Sequence, residues 1–108
     1  MKSAAARSLG CTSAQENAFN VGESYLVKCQ EQCTDSTVWG CPSDGGWITH
    51  DSVICTVGQM LRIELGSPFT VIMSEGRNTY DACTLNGITS ESYGRWDASY
   101  RISLSVGK

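Results

Sequence analysis

Six cysteines in a chain of 108 residues constrain its fold more than any other feature. They are Cys11, Cys29, Cys33, Cys41, Cys55 and Cys83. An even number at this density reads as a disulfide framework made in an oxidising compartment, outside the cell or in the lumen of the secretory pathway. Many pairings are possible, and spacing alone does not choose among them. The competing reading is zinc, which favours two close Cys pairs or a Cys pair with a His pair. Only Cys29 and Cys33 are close, and His50 is the one histidine. Zinc is therefore disfavoured, and neither a metal nor another cofactor is expected.

The bridges matter because the core is modest. A domain near this length buries roughly 60–70% of its unfolded surface. Three bridges add about 2–4 kcal/mol each by restricting the unfolded chain. The longest apolar runs are short, such as Val71-Ile72-Met73, against the roughly 18 residues a membrane helix needs. Net charge is −3, and Lys28, Arg62, Arg77, Arg95 and Arg101 are scattered along the chain. Nucleic-acid binding needs concentrated positive charge, so that function is disfavoured. Near the N-terminus Arg7 interrupts the only candidate for the apolar core of a secretory signal. Residues 1–10 read as a flexible segment outside the domain, and residues 11–106 as a single domain.

One helix is expected. Val53, Ile54, Val57, Met60 and Leu61 form one apolar stripe at helical spacing, which places a helix at about 51–62. Asp51 is its expected cap, and Gly66 either ends it or follows its fraying end. Gly58 within the stripe points to close packing on that side. Strand patterns cover residues 24–28, 69–73 and 100–106, the last with Ile102, Leu104 and Val106 on one side. Asn86-Gly87 is a tight-turn pair in which both residues take positive φ. Cys41-Pro42-Ser43-Asp44-Gly45-Gly46 and Gly66-Ser67-Pro68 are loops. One helix among short strands gives an α+β domain.

Catalytic groups are scarce. The segment Gly22-Glu23-Ser24-Tyr25-Leu26 lacks the last glycine of a serine nucleophile elbow. No phosphate-cradling glycine loop occurs. With every cysteine paired there is no thiolate nucleophile. His50 reads as an exposed loop residue. The chain is thus expected to bind rather than catalyse. Trp39 is expected in the core. Trp47, in a glycine-rich loop, and Trp96, between Arg95 and Asp97, are the better surface aromatics, suited to sugar stacking or protein contact.

Several of these residues also carry a family resemblance. Val38-Trp39-Gly40, Trp47 and Asp51-Ser52-Val53-Ile54-Cys55 come first. Gly76, Tyr80, Asn86-Gly87-Ile88-Thr89-Ser90, Tyr93-Gly94 and Tyr100 follow in order. The ordered set resembles the LCCL domain over roughly Cys11 to Leu104. The opening Cys11-Thr12-Ser13-Ala14 and the Cys29, Cys33 pair fall where that family places its first three cysteines. The resemblance implies a central helix wrapped by short antiparallel strands. It also implies the bridges Cys11–Cys29 and Cys33–Cys55. Cys41 and Cys83 lie outside the family pattern and, as the remaining pair, are expected to join. The chain departs from the family after Cys55, where Thr56-Val57-Gly58-Gln59-Met60-Leu61-Arg62 replaces small residues and a His-Ala-Gly ending.

The family implies a module of secreted or surface proteins that recognises lipopolysaccharide, polysaccharide or matrix components, as in innate immunity. Trp47, Trp96, Arg62, Arg77 and Arg95 are the expected ligand contacts. The alternative is an adhesion or assembly module whose partners are neighbouring extracellular protein domains.

Overall fold

The computed structural model describes residues 5–33 and 37–104. In chain order they form β1 (Arg7–Leu9), β2 (Ser24–Cys29), β3 (Ile48–Thr49), α1 (Ile54–Met60), β4 (Phe69–Glu75), β5 (Thr84–Leu85), β6 (Ile88–Thr89) and β7 (Ala98–Ser103). Five strands make one sheet in the order β1-β2-β4-β7-β3, and β5-β6 form a separate hairpin. The class is α+β, mostly strand with a short helix. The antiparallel expectation fails at one edge, where β1 runs parallel to β2. Residues 7–9, expected to lie outside the domain, are therefore part of its sheet.

Alternation in β4 sets the core. Phe69, Val71 and Met73 are buried while Thr70, Ile72 and Ser74 are half-buried. Strand register puts Phe69 opposite Val27, Val71 opposite Tyr25 and Ile102, and Met73 opposite Tyr100. Directly opposed residues share a face, so these side chains form one continuous apolar surface. Helix α1 packs on it. A Cβ at Gly58 would lie 3.7 Å from the Phe69 ring and 4.0 Å from Cys29 Sγ, so the glycine marks the close contact. Every α1 residue except Gln59 is buried. Loops close the helix as much as strands do. Ile54 N–H donates to Thr12 O (3.1 Å), Cys33 N–H donates to the Gln59 side chain, and Asn86 Nδ2 donates to Gln59 O (2.9 Å).

The helix is shorter than the apolar stripe suggests. Val53 bridges Ser13 and is held extended at φ −70, ψ 122. Helical backbone can therefore start only at Ile54. Asp51 does not cap it. Its carboxylate instead accepts a 2.6 Å bond from Thr49 Oγ1. At the other end Arg62 takes φ 61. Its N–H reaches Gln59 O (3.1 Å), and Ile63 N–H reaches Gly58 O (2.9 Å). This left-handed closure satisfies the last carbonyls, so the stop is Arg62 and not Gly66.

The bridges are Cys11–Cys33, Cys29–Cys55 and Cys41–Cys83, with Cα–Cα distances of 5.6, 5.8 and 5.5 Å. The first two correct the expected Cys11–Cys29 and Cys33–Cys55. The reason is strand parity. Cys29 shares the inward face of β2 with Tyr25 and Val27, and that face meets α1 where Cys55 sits in the first turn. Cys11 lies past the end of β1 at the surface, where the chain leaving β2 returns Cys33 to it. The expected strand over residues 100–106 ends at Ser103. Leu104 is 52% exposed, because it lies past the paired strand, and Ser105 and Val106 fall outside the described residues.

Candidate functional site

The candidate site forms at the end of the sheet where β4 and β7 separate. Gly76 N–H bonds Asp97 O (3.1 Å), and Trp96 N–H bonds Arg77 O (3.2 Å). These two bonds prolong the β4-β7 ladder by one step. They bring Arg77 and Trp96 side by side although many residues separate them in sequence. Gly76 is needed for this approach, since a Cβ there would fall 1.8 Å from Trp96 O.

Past that step the chain makes an excursion that folds back on the rest of the domain. Tyr80 and Tyr93 exchange backbone bonds of 2.8 and 3.0 Å. The Tyr80 hydroxyl meets Ser99 Oγ at 2.6 Å and accepts from Arg77 N–H at 2.9 Å. Glu91 N–H donates to Val38 O (2.8 Å), and Gly40 N–H donates to Glu91 O (3.0 Å). The Cys41–Cys83 bridge clamps the same junction. Within the excursion Asn86 (φ 52) and Gly87 (φ 78) turn β5 into β6, as their sequence indicates.

Two clefts open on this face. One, of about 510 Å³, is lined by Glu75, Gly76, Arg77, Asn78, Arg95, Trp96 and Asp97. The other, of about 410 Å³, is lined by Cys41, Gly46, Trp47, Arg77, Asn78, Thr79, Tyr80 and Asp81. They share Arg77 and Asn78. The Arg77 guanidinium lies 4.2 Å from the Trp47 ring centre and that of Arg101 5.8 Å. Such cation–π contacts hold a guanidinium in place without neutralising it.

Four of the five residues expected to contact ligand, Trp47, Trp96, Arg77 and Arg95, therefore line this pair of clefts. Arg62 does not. It is exposed at the far end of α1 and lines neither cleft. Arg101 and Asn78 were not anticipated. The outward register of Arg101 in β7 was visible in the sequence, but its partner Trp47 is far away in the chain.

A third, smaller cavity of about 220 Å³ adjoins the first cleft across Trp96. Trp39, Thr49, Asp51, Tyr93 and Trp96 line it. Trp39 is thus half-buried at a cavity wall, a correction to its expected place in the core. The cause is its backbone, pinned by Trp39 N–H to Ser52 Oγ (3.0 Å) at the sheet edge. His50 is also not a bare loop residue, since its Nδ1 accepts a 2.8 Å bond from Trp96 Nε1. That bond fixes the imidazole as the Nε2–H form. Beneath the cavity Tyr100 is fully buried and its hydroxyl donates to Ser52 O (3.0 Å). Burial, and then the negative charge of Asp51, push its phenol well above the ordinary value of 10.0.

No group of three His, Cys, Asp or Glu among the described residues could hold a metal ion, and none of the described cysteines is free. No helix among the described residues is long and apolar enough to cross a membrane. The three bridges fit a domain of the extracellular space. The family model of the LCCL domain matches residues 9–100. No curated protein matches the chain.

Proposed function

We propose that this chain, which belongs to the LCCL domain family, is an extracellular, non-catalytic module that binds a glycan in the two clefts sharing Arg77 and Asn78. The family is one of binding modules. The observation that carries the finer reading is the convergence of Trp47, Trp96, Arg77 and Arg95 on one concave face. A sugar ring offers apolar C–H faces and a rim of hydroxyls. Trp faces suit the first, and Arg, Asn and carboxylate groups suit the second. Glu75, Asp81 and Asp97 line the clefts together with Arg77 and Arg95. This mixed lining favours a neutral polysaccharide over anionic lipopolysaccharide, in keeping with the net charge of −3.

The test is a titration of the oxidised chain with lipopolysaccharide and a panel of polysaccharides, followed by tryptophan fluorescence. A saturable change is expected, lost on reduction of the disulfides. Arg77→Ala and Asn78→Ala should each weaken it by roughly tenfold, as expected for charged and amide contacts made in a partly closed cleft. Silence across the whole panel would overturn the glycan reading and leave an adhesion module that contacts neighbouring protein domains.

A further inference from the structure

We propose that the small cavity between Trp39, Tyr93 and Trp96 is a second binding site, an aromatic cage for a quaternary ammonium group with Asp51 as its counter-charge. The two sites meet at Trp96, which lines both the first cleft and this cavity, but this inference rests on Trp39, Tyr93 and Asp51 and on another ligand chemistry, so it stands without the glycan reading.

Three observations carry it. The first is ring geometry. Trp39 and Tyr93 have ring centres 6.4 Å apart with planes 70° apart, and Tyr93 and Trp96 are 5.5 Å apart at 78°. At these separations each pair touches edge to face, so the three rings meet at corners and form adjoining walls of the cavity that they line. A methylated ammonium is held in such enclosures by the negative faces of aromatic rings.

The second observation is charge. Asp51 lines the same cavity and is half-buried. One carboxylate oxygen accepts from Thr49 Oγ1 at 2.6 Å, and among the described residues no cation pairs with the group. An aromatic enclosure with an unneutralised carboxylate selects a cation over an apolar molecule of the same shape.

The third is size and rigidity. A space of about 220 Å³ is smaller than the roughly 300–1,000 Å³ that holds a drug-sized ligand. It fits a head group. Its walls are anchored. The Trp96 ring is fixed through Nε1 to His50 Nδ1 at 2.8 Å, and the backbones that carry the other two rings are held by the Trp39 amide N–H to Ser52 Oγ at 3.0 Å and by the paired bonds between Tyr93 and Tyr80. Anchored walls lower the ordering cost of binding. Tyr93 is 44% exposed, which leaves the cavity open to a ligand from solvent.

The experiment uses the oxidised full chain. Choline and tetramethylammonium chloride are titrated at constant ionic strength, following tryptophan fluorescence and the indole N–H signals. The control is 3,3-dimethylbutan-1-ol, the uncharged isostere of choline. Saturable binding of both cations is expected, with the alcohol roughly tenfold weaker or worse. Asp51→Asn keeps the acceptor for Thr49 and should weaken choline by roughly fivefold. Tyr93→Ala should abolish binding, Tyr93→Phe should retain it, and Arg77→Ala should leave it unchanged. Once choline binds, sedimentation with phosphatidylcholine vesicles assigns the group to a lipid head. Binding of free phosphocholine without sedimentation assigns it to a soluble or glycan-borne ester. Equal binding of the alcohol, indifference to Asp51→Asn and Tyr93→Ala in correctly folded protein, or no saturable response to either cation would overturn the proposal.

Discussion

At one end of the sheet Cys29 closes β2 against α1, and the bridged pair is only 6% and 1% exposed. At the other end β4 and β7 part, and residues 76–97 wander out and return under the Cys41–Cys83 clamp. The first end rests on periodic burial, with strand alternation on one side and a helical stripe on the other. The second rests on single contacts: two ladder bonds at Gly76 and Trp96, one hydroxyl pair at Tyr80 and Ser99, and one disulfide. Apolar burial spreads its stabilisation over many weak contacts, so it tolerates the loss of any one. A surface made of single contacts can expose its aromatic and charged side chains, because it does not depend on burying them. The clefts proposed to bind ligand accordingly lie at the second end.

The sharpest way to break this comparison is to remove one bridge from each end. Replacing both cysteines of the Cys29–Cys55 pair by Ala opens a span of 26 residues, and of the Cys41–Cys83 pair one of 42. Loop entropy alone gives about 3–4 kcal/mol for either, slightly more for the longer span. The double variant at Cys29 and Cys55 also leaves a hole beneath Gly58 and Phe69, adding a cavity cost. It should be the less stable of the two in urea denaturation, with its Trp39-Tyr93-Trp96 cavity intact in whatever fraction remains folded. The variant at Cys41 and Cys83 should unfold later yet lose ligand binding first. The reverse order would show that the clefts are held by the core and not by their own clamp.

The difference between the ends also explains what could be read from the sequence. Residues 24–28 and 69–73 and the stripe from Ile54 to Met60 announce themselves by period, since burial on one face imposes it. The helix limits did not follow, because they are set by partners distant in sequence: Ser13 holds Val53 extended, and the turn after α1 uses Arg62 where a glycine would have been the legible signal. The Cys11–Cys33 and Cys29–Cys55 pairing was hidden for a related reason. It depends on β1 lying parallel beside β2, and three residues of edge strand leave almost no pattern. At the site, the loop context of Trp47 and Trp96 singles them out, and both are half-buried at the clefts they line. That Trp39, Tyr93 and Asp51 share one cavity could not be read, as contacts between residues distant in sequence bring them together, among them Trp39 with Glu91 and with Ser52.

A smaller effect probes the seam between the two ends. Tyr100 lies in the core face of β7, yet its phenol is pushed up by burial and by Asp51 of the cavity above it. In the unfolded chain the same phenol ionises near 10.0. The folded form keeps its proton to higher pH, so its stabilising share is complete below about pH 10 and is lost as pH rises toward the folded value. Wild-type protein should therefore lose stability above about pH 10 more steeply than Tyr100→Phe, which has no such proton to lose. At neutral pH the same variant should cost about 1–2 kcal/mol, because Ser52 O loses its buried donor. A similar alkaline slope in both proteins would mean that the folded chain does not hold the phenol protonated beyond its ordinary range, and a shallower slope in Asp51→Asn than in wild type would isolate the smaller share of Asp51.

The smallest change is the cleanest test of whether Arg62 belongs to the binding face. Its backbone at φ 61 costs an ordinary L-residue about 1–2 kcal/mol, a strain that glycine does not feel. Glycine also loosens the unfolded chain, which returns about 0.4–1 kcal/mol, and it removes a cation from the helix end worth about 0.3 kcal/mol in so short and exposed a helix. The terms leave Arg62→Gly near 0.5 kcal/mol more stable by difference of these estimates, a rise of about 2–4 °C in a domain of this size. Arg62→Ala keeps the strain and loses the charge, so it should gain nothing. Both variants should titrate glycan and choline as the parent does, since Arg62 lines none of the three cavities. A stabilised Arg62→Gly with weakened glycan binding would extend the binding face across α1, and the division between a buried end and a binding end would no longer hold.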